Sequence, residues 1–448
     1  MNKGGHTMFL PKTALICIKT LEQAGFEAYA VGGCVRDALL GLIPHDYDLC
    51  TNAPPEDIAR LFHRYTLARS GEKHGTIGVV MGKEVLEITT FRTEGGYQDS
   101  RHPDWVRFVT HIEEDLARRD FTVNAMAYNP NRGYIDPFGG QRDLQDRILR
   151  TVGNPRERFS EDALRILRGV RFAIRYGLTP EEETLQAIKD MAPAMDKLAR
   201  ERVFDELCKL LPLVSARDLL NYVQVLTQVV PVLAPGVGFL QYSPHHAYDV
   251  YTHIARVVEA TPPKLSLRWA ALLHDCGKPA CFIQDENGRG HFNGHAQVGA
   301  QMAEEVLTQL KAPTALRETV VFLVTHHMAF MEPDKRLMRR RLGKYGKEAL
   351  LDLVTLQEAD FNSKGMGEET DLFQTLRKLL EEVLAEQACL TVKDLHIDGR
   401  DLQRIGFEPG PKLGECLDFL LAQVQDELLS NEPVALLAAA TEFLKGNL

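Results

Sequence analysis

The 448-residue chain has no cysteine pair at CxxC spacing, and its eight cysteines, spread from Cys17 to Cys416, are too sparse for a secreted disulfide scaffold. A reducing, cytoplasmic setting is therefore expected. No apolar run reaches membrane-spanning length before a charge interrupts it, and no N-terminal stretch combines charged, apolar and small-residue regions as a signal peptide does. Neither export nor membrane insertion is expected. The phosphate-cradling patterns GxxxxGK[ST] and GxGxxG are missing, which argues against a P-loop ATPase or a Rossmann oxidoreductase. A basic excess is missing too: 52 Lys and Arg stand against 62 Asp and Glu, a formal charge of -10, which by itself lowers the expectation of a nucleic-acid partner.

What is present, 44% hydrophobic and 25% charged residues, suits a folded chain long enough for several domains. Residues 11–24 read as an amphipathic helix, and "FEAYAVGG" as a strand running into a glycine turn. "CVRDALLG" reads as a helix and "HDYDLCT" as a short strand, and "GTIGVVMGKEVLEITTF" predicts a hairpin turning at Gly82-Lys83. Past residue 150 the pattern turns helical. Ser160 opens "EDALRILRGVRFAIRYG", with Gly177 as its stop; Thr179, Pro180 and Glu182 form a capping box for the next helix. The expected organisation is α+β: a head over 1–150, a helical neck and body over 151–240, a histidine-bearing segment over 241–365 and a helical tail over 366–448.

The sharpest chemistry lies in "GGCVRDALLGLIPHDYDL". Two residues apart, Asp46 and Asp48 point to one face of a strand, and adjacent carboxylates repel unless a cation lies between them. Oxygen ligands completed by substrate phosphates suit Mg²⁺. Gly32 and Gly33 let the backbone approach a triphosphate, with Arg36 close enough to contact it. Glu87 is either a third carboxylate on a neighbouring strand or an edge glutamate reaching water. Metal ions on such carboxylates activate an RNA 3′-hydroxyl and neutralise departing pyrophosphate, so the implied reaction is nucleotidyl transfer. In "RRDFTVNAMAY", at the start of an expected helix, Arg118 and Arg119 can hold phosphate, and Asp120 or Asn124 can recognise ribose or serve the helix start. Asp162 and Arg165, at i and i+3, can reach one ligand, a carboxylate accepting from an exocyclic amino group and a guanidinium donating to a ring nitrogen. That pair reads cytosine and adenine and mismatches guanine and uracil; the alternative is a surface pair of Glu161 with Arg165. Arg168 shapes the pocket or touches phosphate.

Through "GGCVRD", "HDYDL", "RRDFTVNA" and "EDALRILR", in order across residues 32–168, the chain resembles bacterial CCA-adding tRNA nucleotidyltransferases of the class II, poly(A) polymerase-like family. The resemblance implies a palm-like head with a mixed or antiparallel sheet, CTP and ATP as substrates, and body and tail regions that grip the tRNA acceptor end. By the same resemblance Asp46 and Asp48 bind the catalytic metals, Arg119 and Asp120 contact the incoming sugar and phosphates, and Asp162 with Arg165 templates the base. Residues 91–108 resemble the flexible loop that full CCA adders need to switch from C to A. Bacterial poly(A) polymerases share the head and neck and form the nearest alternative.

The ordered set His253, His274-Asp275 and Asp360 has the residue types that hold a divalent transition metal. It resembles an HD phosphohydrolase domain, which implies those four as ligands and action on phosphomonoesters or cyclic phosphates at RNA ends; His295, His326 and His327 are further candidates for a second metal. An HD phosphohydrolase with a non-catalytic RNA-binding head is accordingly another alternative. Finally, "KRLMRRRLGKYGK" packs seven basic residues into thirteen positions, either along an RNA backbone or as a solvated helix face.

Overall fold

A computed structural model describes residues 7–95, 105–244, 246–329, 331–365, 371–386 and 389–446. The chain divides into two compact units, Met1–Leu213 with Asn221–Pro231, and Val214–Leu220 with Val232–Leu448.

The first unit is built on a seven-stranded sheet, in the order Thr66–Ala68, Thr76–Met81, Glu84–Thr90, Leu49–Thr51, Ala28–Val31, Ala127–Asn129 and Gly133–Ile135. Every pairing is antiparallel except that of Leu49–Thr51 with Glu84–Thr90, so the sheet is mixed. The hairpin turns at Gly82-Lys83 as the sequence predicts, with Met81 opposite Glu84 and Gly82 at φ 66°. Helix Lys12–Gln23 buries Ala14, Cys17, Ile18 and Leu21, the spacing of a single helical face. Around Tyr29, Val31, Cys50 and Phe91 a buried cluster packs Ile112 and Leu116 against the sheet. Each fully buried aliphatic side chain of this kind contributes roughly 1.5–3 kcal/mol.

Several elements differ from the sequence reading. "HDYDLCT" is not a strand throughout: only Leu49–Thr51 is, although the Asp48 carbonyl still accepts from Val31 N–H at 3.0 Å. "RRDFTVNA" forms a 3₁₀ turn over Thr122–Asn124 in place of the expected helix start. The Thr179 capping box is also absent, because Thr179–Pro180 pairs in parallel with Ile148–Leu149 and the helix starts at Glu182, capped by the Glu181 side chain. Thr179 N–H donates to the Arg147 carbonyl at 2.7 Å, a backbone bond that outcompetes capping. The stretch 91–108 begins and ends as a two-stranded ribbon, Arg92–Gly95 against Trp105–Phe108; its residues 96–104 lie outside the described residues.

The neck is two helices, Pro155–Glu161 and Leu164–Tyr176, the second ending at Gly177 with φ 60° as expected. Gly169 packs this second helix closely against Phe121, whose ring also meets Phe172 edge-on at 5.8 Å.

In the second unit, among the described residues, helices predominate. Val250–Ala260, Leu265–Leu273, His295–Gln309, Thr314–His326 and Lys347–Asn362 surround the histidines. Two further apolar clusters follow, one joining helices Lys335–Tyr345, Lys347–Asn362 and Asp371–Ala385, the other gathering Leu402, Cys416, Leu420, Leu436 and Ala440. No helix of the described residues is long and apolar enough to cross a membrane. The basic run lies on helix Lys335–Tyr345, and much of it is spent internally: Lys335 and Arg339 pair with Glu386, Arg339 also with Glu427, and Arg340 with Asp426. Three of the seven basic residues of the run are thus paired with acids within the chain.

Gly169→Ala tests the neck packing. Alanine gains about 1 kcal/mol of helix propensity, but its Cβ would lie 2.9 Å from Phe121 Cζ in a fully buried site. Overpacking costs typically 1–3 kcal/mol, so urea unfolding is expected to show net destabilisation; a gain in stability would refute this packing.

Candidate active site and a histidine cluster

Gly32 ends strand Ala28–Val31 at φ 77° and caps helix Gly33–Leu39. A Cβ on Gly32 would stand 2.8 Å from Arg119 Nη1, so a bare backbone is what lets this guanidinium lie over the turn. Arg119 Nη2 donates to Asp115 Oδ2 at 3.3 Å, while its buried Nε has no partner, a donor suited to an anion. Asp46 and Asp48 stand just before strand Leu49–Thr51, both with accessible surface. The parallel register Leu49↔Ile88, continued by one residue, brings Asp48 beside Glu87. Crowding by the protein, and then the negative charges of Glu87 and Asp46, push the Asp48 carboxyl up against the pull of Arg119. Two further carboxylates beside Asp48 fit a divalent cation among the three. Glu87 therefore joins the pair as a neighbour and is not an isolated edge residue.

A cavity of about 480 Å³ opens beside them, lined by eight arginines against three aspartates. In a chain of net negative charge, this is a local positive field suited to a triphosphate. Most of the arginines are held in place by specific partners. Arg36 gives Nε and Nη2 to Asp37 (2.9 and 2.7 Å), bonds Asn124 and the Tyr176 hydroxyl, and lies 4.1 Å above the Tyr176 ring. The sequence suggests phosphate contact for Arg36; the geometry also makes it a brace between glycine turn and neck, since four of its five N–H donors are engaged there. Asp120 and Asn124 differ likewise from the expected ribose readers. Asp120 Oδ1 accepts from Phe121 N–H (2.8 Å) and Asn124 Nδ2 (3.0 Å), and Oδ2 accepts from Arg168 Nε (3.0 Å) and Nη2 (2.7 Å). Arg168 is thereby fixed in the cavity wall. Burial raises the Asp120 pKa, but the Arg168 charge and the Asn124 hydrogen bond prevail and take it down to about 2.

Asp162 and Arg165 both line this cavity, though not from one helical face. Asp162 falls in the break between the two neck helices, with extended φ and ψ of -145° and 104°. Arg165 donates to the carbonyls of Arg158 and Arg118 at 3.1 Å each and pairs with Glu161, so the Glu161 contact weighed as the alternative is present within the cavity wall. Residues the sequence reading passed over are Arg202, whose Nη2 reaches Asp162 Oδ2 at 2.7 Å, and Glu206, whose Oε2 takes Arg171 Nε at 2.6 Å. Their i, i+4 spacing in "ERVFDEL" was the available signal.

In the second unit, His253, His274, Asp275 and Asp360 converge as expected. His253 Nε2 lies 2.9 Å from Asp360 Oδ1 and 3.4 Å from Asp275 Oδ2, and His274 Nε2 lies 3.2 Å from Asp275 Oδ2. His295 and His327 approach the other oxygen, Asp275 Oδ1, at 3.4 and 3.7 Å. Two triads able to hold a metal result, sharing Asp275. His326 is excluded from both: it ends helix Thr314–His326 with its ring against Phe322 and Tyr345. One residue of helical rotation separates it from His327.

The imidazole tautomers support metal chemistry. Nδ1 of His274, His295 and His327 donates to the carbonyls of Ala271, Phe292 and Val324 at 2.7–2.8 Å, which turns three Nε2 lone pairs toward Asp275. His295 and His327 Nε2 stand 3.3 Å apart, His274 Nε2 is buried without a hydrogen-bond partner, and the Lys278 ammonium lies 2.7 Å from Asp275 Oδ2. Lone pairs facing a carboxylate in a buried site fit a divalent cation. A cavity of about 510 Å³ opens onto Asp275 and Asp360, with Lys278 donating to Gln241 at 2.8 Å in its wall. His246, unremarked in the sequence, also lines it.

Residues 28–150 match the family model of the Poly A polymerase head domain, residues 177–235 that of the "Probable RNA and SrmB- binding site of polymerase A", and residues 293–440 that of tRNA nucleotidyltransferase domain 2. These matches place the chain among class II nucleotidyltransferases. The CCA-adding enzyme of Lacticaseibacillus paracasei is 34% identical over 98% of both chains, and that of Streptococcus gordonii 35% identical over 96% of both. The chain belongs to the family of CCA-adding enzymes. The crystal structure of the Bacillus stearothermophilus CCA-adding enzyme in complex with CTP superimposes with a TM-score of 0.73 at 30% identity, covering 97% of each chain. A Thermotoga maritima enzyme complexed with tRNA shares the fold, with a TM-score of 0.57 at 20% identity.

Asp120 makes a pH test available. Its folded value of about 2 lies below the ordinary 3.8, so its stabilising contribution of about 2 kcal/mol is full above pH 4 and is lost as pH falls through 2. Asp120→Asn is expected to lower unfolding free energy by that order at pH 7, with the gap to wild type closing as the medium is acidified toward pH 2. A gap independent of pH would refute the assignment.

Proposed function

We propose that this chain adds C, C and A to the 3′ end of tRNA from CTP and ATP, without a nucleic-acid template and with release of pyrophosphate. The observation that carries the reading is the single cavity that sets Asp48 and Arg119 beside Asp162 and Arg165, reacting end and base-reading end in one pocket. Full-length likeness to CCA-adding enzymes, reaching beyond the head shared with poly(A) polymerases, favours defined CCA completion over poly(A) tailing. Asp46 and Asp48, with Glu87 adjacent, are the residues that would hold Mg²⁺, which supplies charge neutralisation for the attacking hydroxyl and the departing pyrophosphate. Arg119, over the glycine turn, holds the phosphates. Asp162 accepts from the exocyclic amino group of cytosine or adenine while Arg165 donates to the ring nitrogen, and uracil or guanine, with a carbonyl facing Asp162 and a ring N–H facing Arg165, is rejected.

The decisive assay offers tRNA lacking one, two or three terminal nucleotides with each NTP and resolves products at single-nucleotide length. Completion that stops at CCA supports the reading; long A tails would mean a poly(A) polymerase. Asp48→Ala is expected to slow addition by on the order of 10³-fold or more with the fold retained.

For the second unit we infer an HD-type metal centre: His253, His274, Asp275 and Asp360 are the residues that would hold one divalent ion, and His295 and His327 with Asp275 those that would hold a second, which would supply charge neutralisation and an activated water for phosphomonoesters or cyclic phosphates at RNA ends. Metal analysis after loading with Mn²⁺ tests it: two ions per chain in this unit for wild type, one for His327→Ala and none for Asp275→Ala. Equal metal content in all three would overturn it. The eight free thiols fit a cytoplasmic location.

A further inference from the structure

Asp162 is the group whose orientation decides which base fits, yet its own backbone does little to fix it. It sits between helices, in extended conformation, where neither helix register directs its side chain. The carboxylate is fixed from elsewhere. Arg202, on helix Arg200–Leu210, grips it with a two-pronged contact, Nη2 to Oδ2 at 2.7 Å and Nη1 to Oδ1 at 3.3 Å. The backbone N–H of Leu164 adds a third donor to Oδ1 at 3.1 Å.

A carboxylate offers about four lone-pair sites, two on each oxygen. Oδ1 is filled by Arg202 and Leu164, and Oδ2 accepts one bond from Arg202. One acceptor site on Oδ2 remains for a base. The guanidinium plane also sets the carboxylate plane, because a two-pronged contact permits little rotation about the Cβ–Cγ bond. Arg202 is itself indexed to the neck: one turn along its helix, buried Glu206 takes Arg171 of helix Leu164–Tyr176 at 2.6 Å. The spacing between Arg202 and Glu206 thereby transmits the position of the neck helix to the carboxylate of Asp162.

We propose that Arg202 is a positioning residue that sets nucleotide selection, by leaving Asp162 a single, fixed acceptor that admits an amino group and excludes a carbonyl. The proposal rests on the CCA-adding reading and refines it. Freed from the fork, Asp162 can rotate and turn its edge away from uracil O4 or guanine O6, so carbonyl-bearing bases are no longer opposed by a fixed oxygen.

The test measures kcat and KM for CTP, UTP, ATP and GTP on truncated tRNA with the full chain and with Arg202→Met and Arg202→Lys, alongside thermal unfolding. Wild type must first add CMP and AMP; if it does not, the CCA-adding reading itself fails and the variants are not the cause. With Arg202→Met, the ratio of kcat/KM for CTP over UTP, and for ATP over GTP, is expected to fall roughly tenfold or more. Arg202→Lys, keeping charge without the fork, is expected to fall between. If Arg202→Met slows all four nucleotides in proportion, its role is only to support the fold and the proposal is overturned. Should Arg202→Met fail to fold, the lysine variant decides: an undiminished ratio overturns the proposal and a reduced one supports it.

Discussion

Crowding of guanidinium groups around one cavity is the constraint on which the nucleotide site depends. Eight arginines facing the same space would repel one another and wander unless each were held. The fold answers with partners placed one by one: Asp37 and Tyr176 for Arg36, Asp115 for Arg118 and Arg119, Asp120 for Arg168, Glu206 for Arg171, and Asp162 for Arg202. The acids neutralise part of the field and, more usefully, aim what remains. Charge is therefore arranged twice, first to keep the cations ordered and then to leave a positive surface for phosphate.

The histidine cluster poses the opposite problem. There, ring nitrogens whose hydrogens are committed to backbone carbonyls face a buried carboxylate, so a surplus of electron pairs accumulates. The two units thus prepare for opposite guests, an anion in one and cations in the other, by the same device of fixing each polar side chain through its far end.

The sequence exposed features that depend on near neighbours. The hairpin at Gly82-Lys83 and the stop at Gly177 follow from local spacing, whereas His253, His274, Asp275 and Asp360, spread over 107 positions, were legible only through the order of their residue types. Long-range partners were hidden. Nothing around Arg36 shows that Tyr176, 140 positions away, takes its donors, and nothing around Asp162 announces Arg202, 40 positions away. Helical periodicity also misled at Asp162, because an unbroken pattern of apolar residues conceals a break in which the carboxylate itself bonds the following N–H. Between His326 and His327 the sequence had no basis for choice; which ring faces the cavity depends on helix rotation. Net charge was the least informative quantity, since eight arginines gather around one cavity of a chain that is acidic as a whole.

The single parallel pairing in the head sheet bears on how this site can vary over evolutionary time. Asp48 and Glu87 stand side by side only because Leu49 pairs with Ile88, and the chain between those strands makes a helix and a hairpin before returning. Side chains alternate along a strand, so a slip of one residue would send Glu87 into the apolar layer and bring Ile88 out to water. Loops in that excursion can lengthen or shorten freely, but the two strands must drift together or not at all. The site is therefore inherited as a register more than as a set of residues, and lineages carrying it are expected to differ in their connecting loops while sharing one alignment of these two strands.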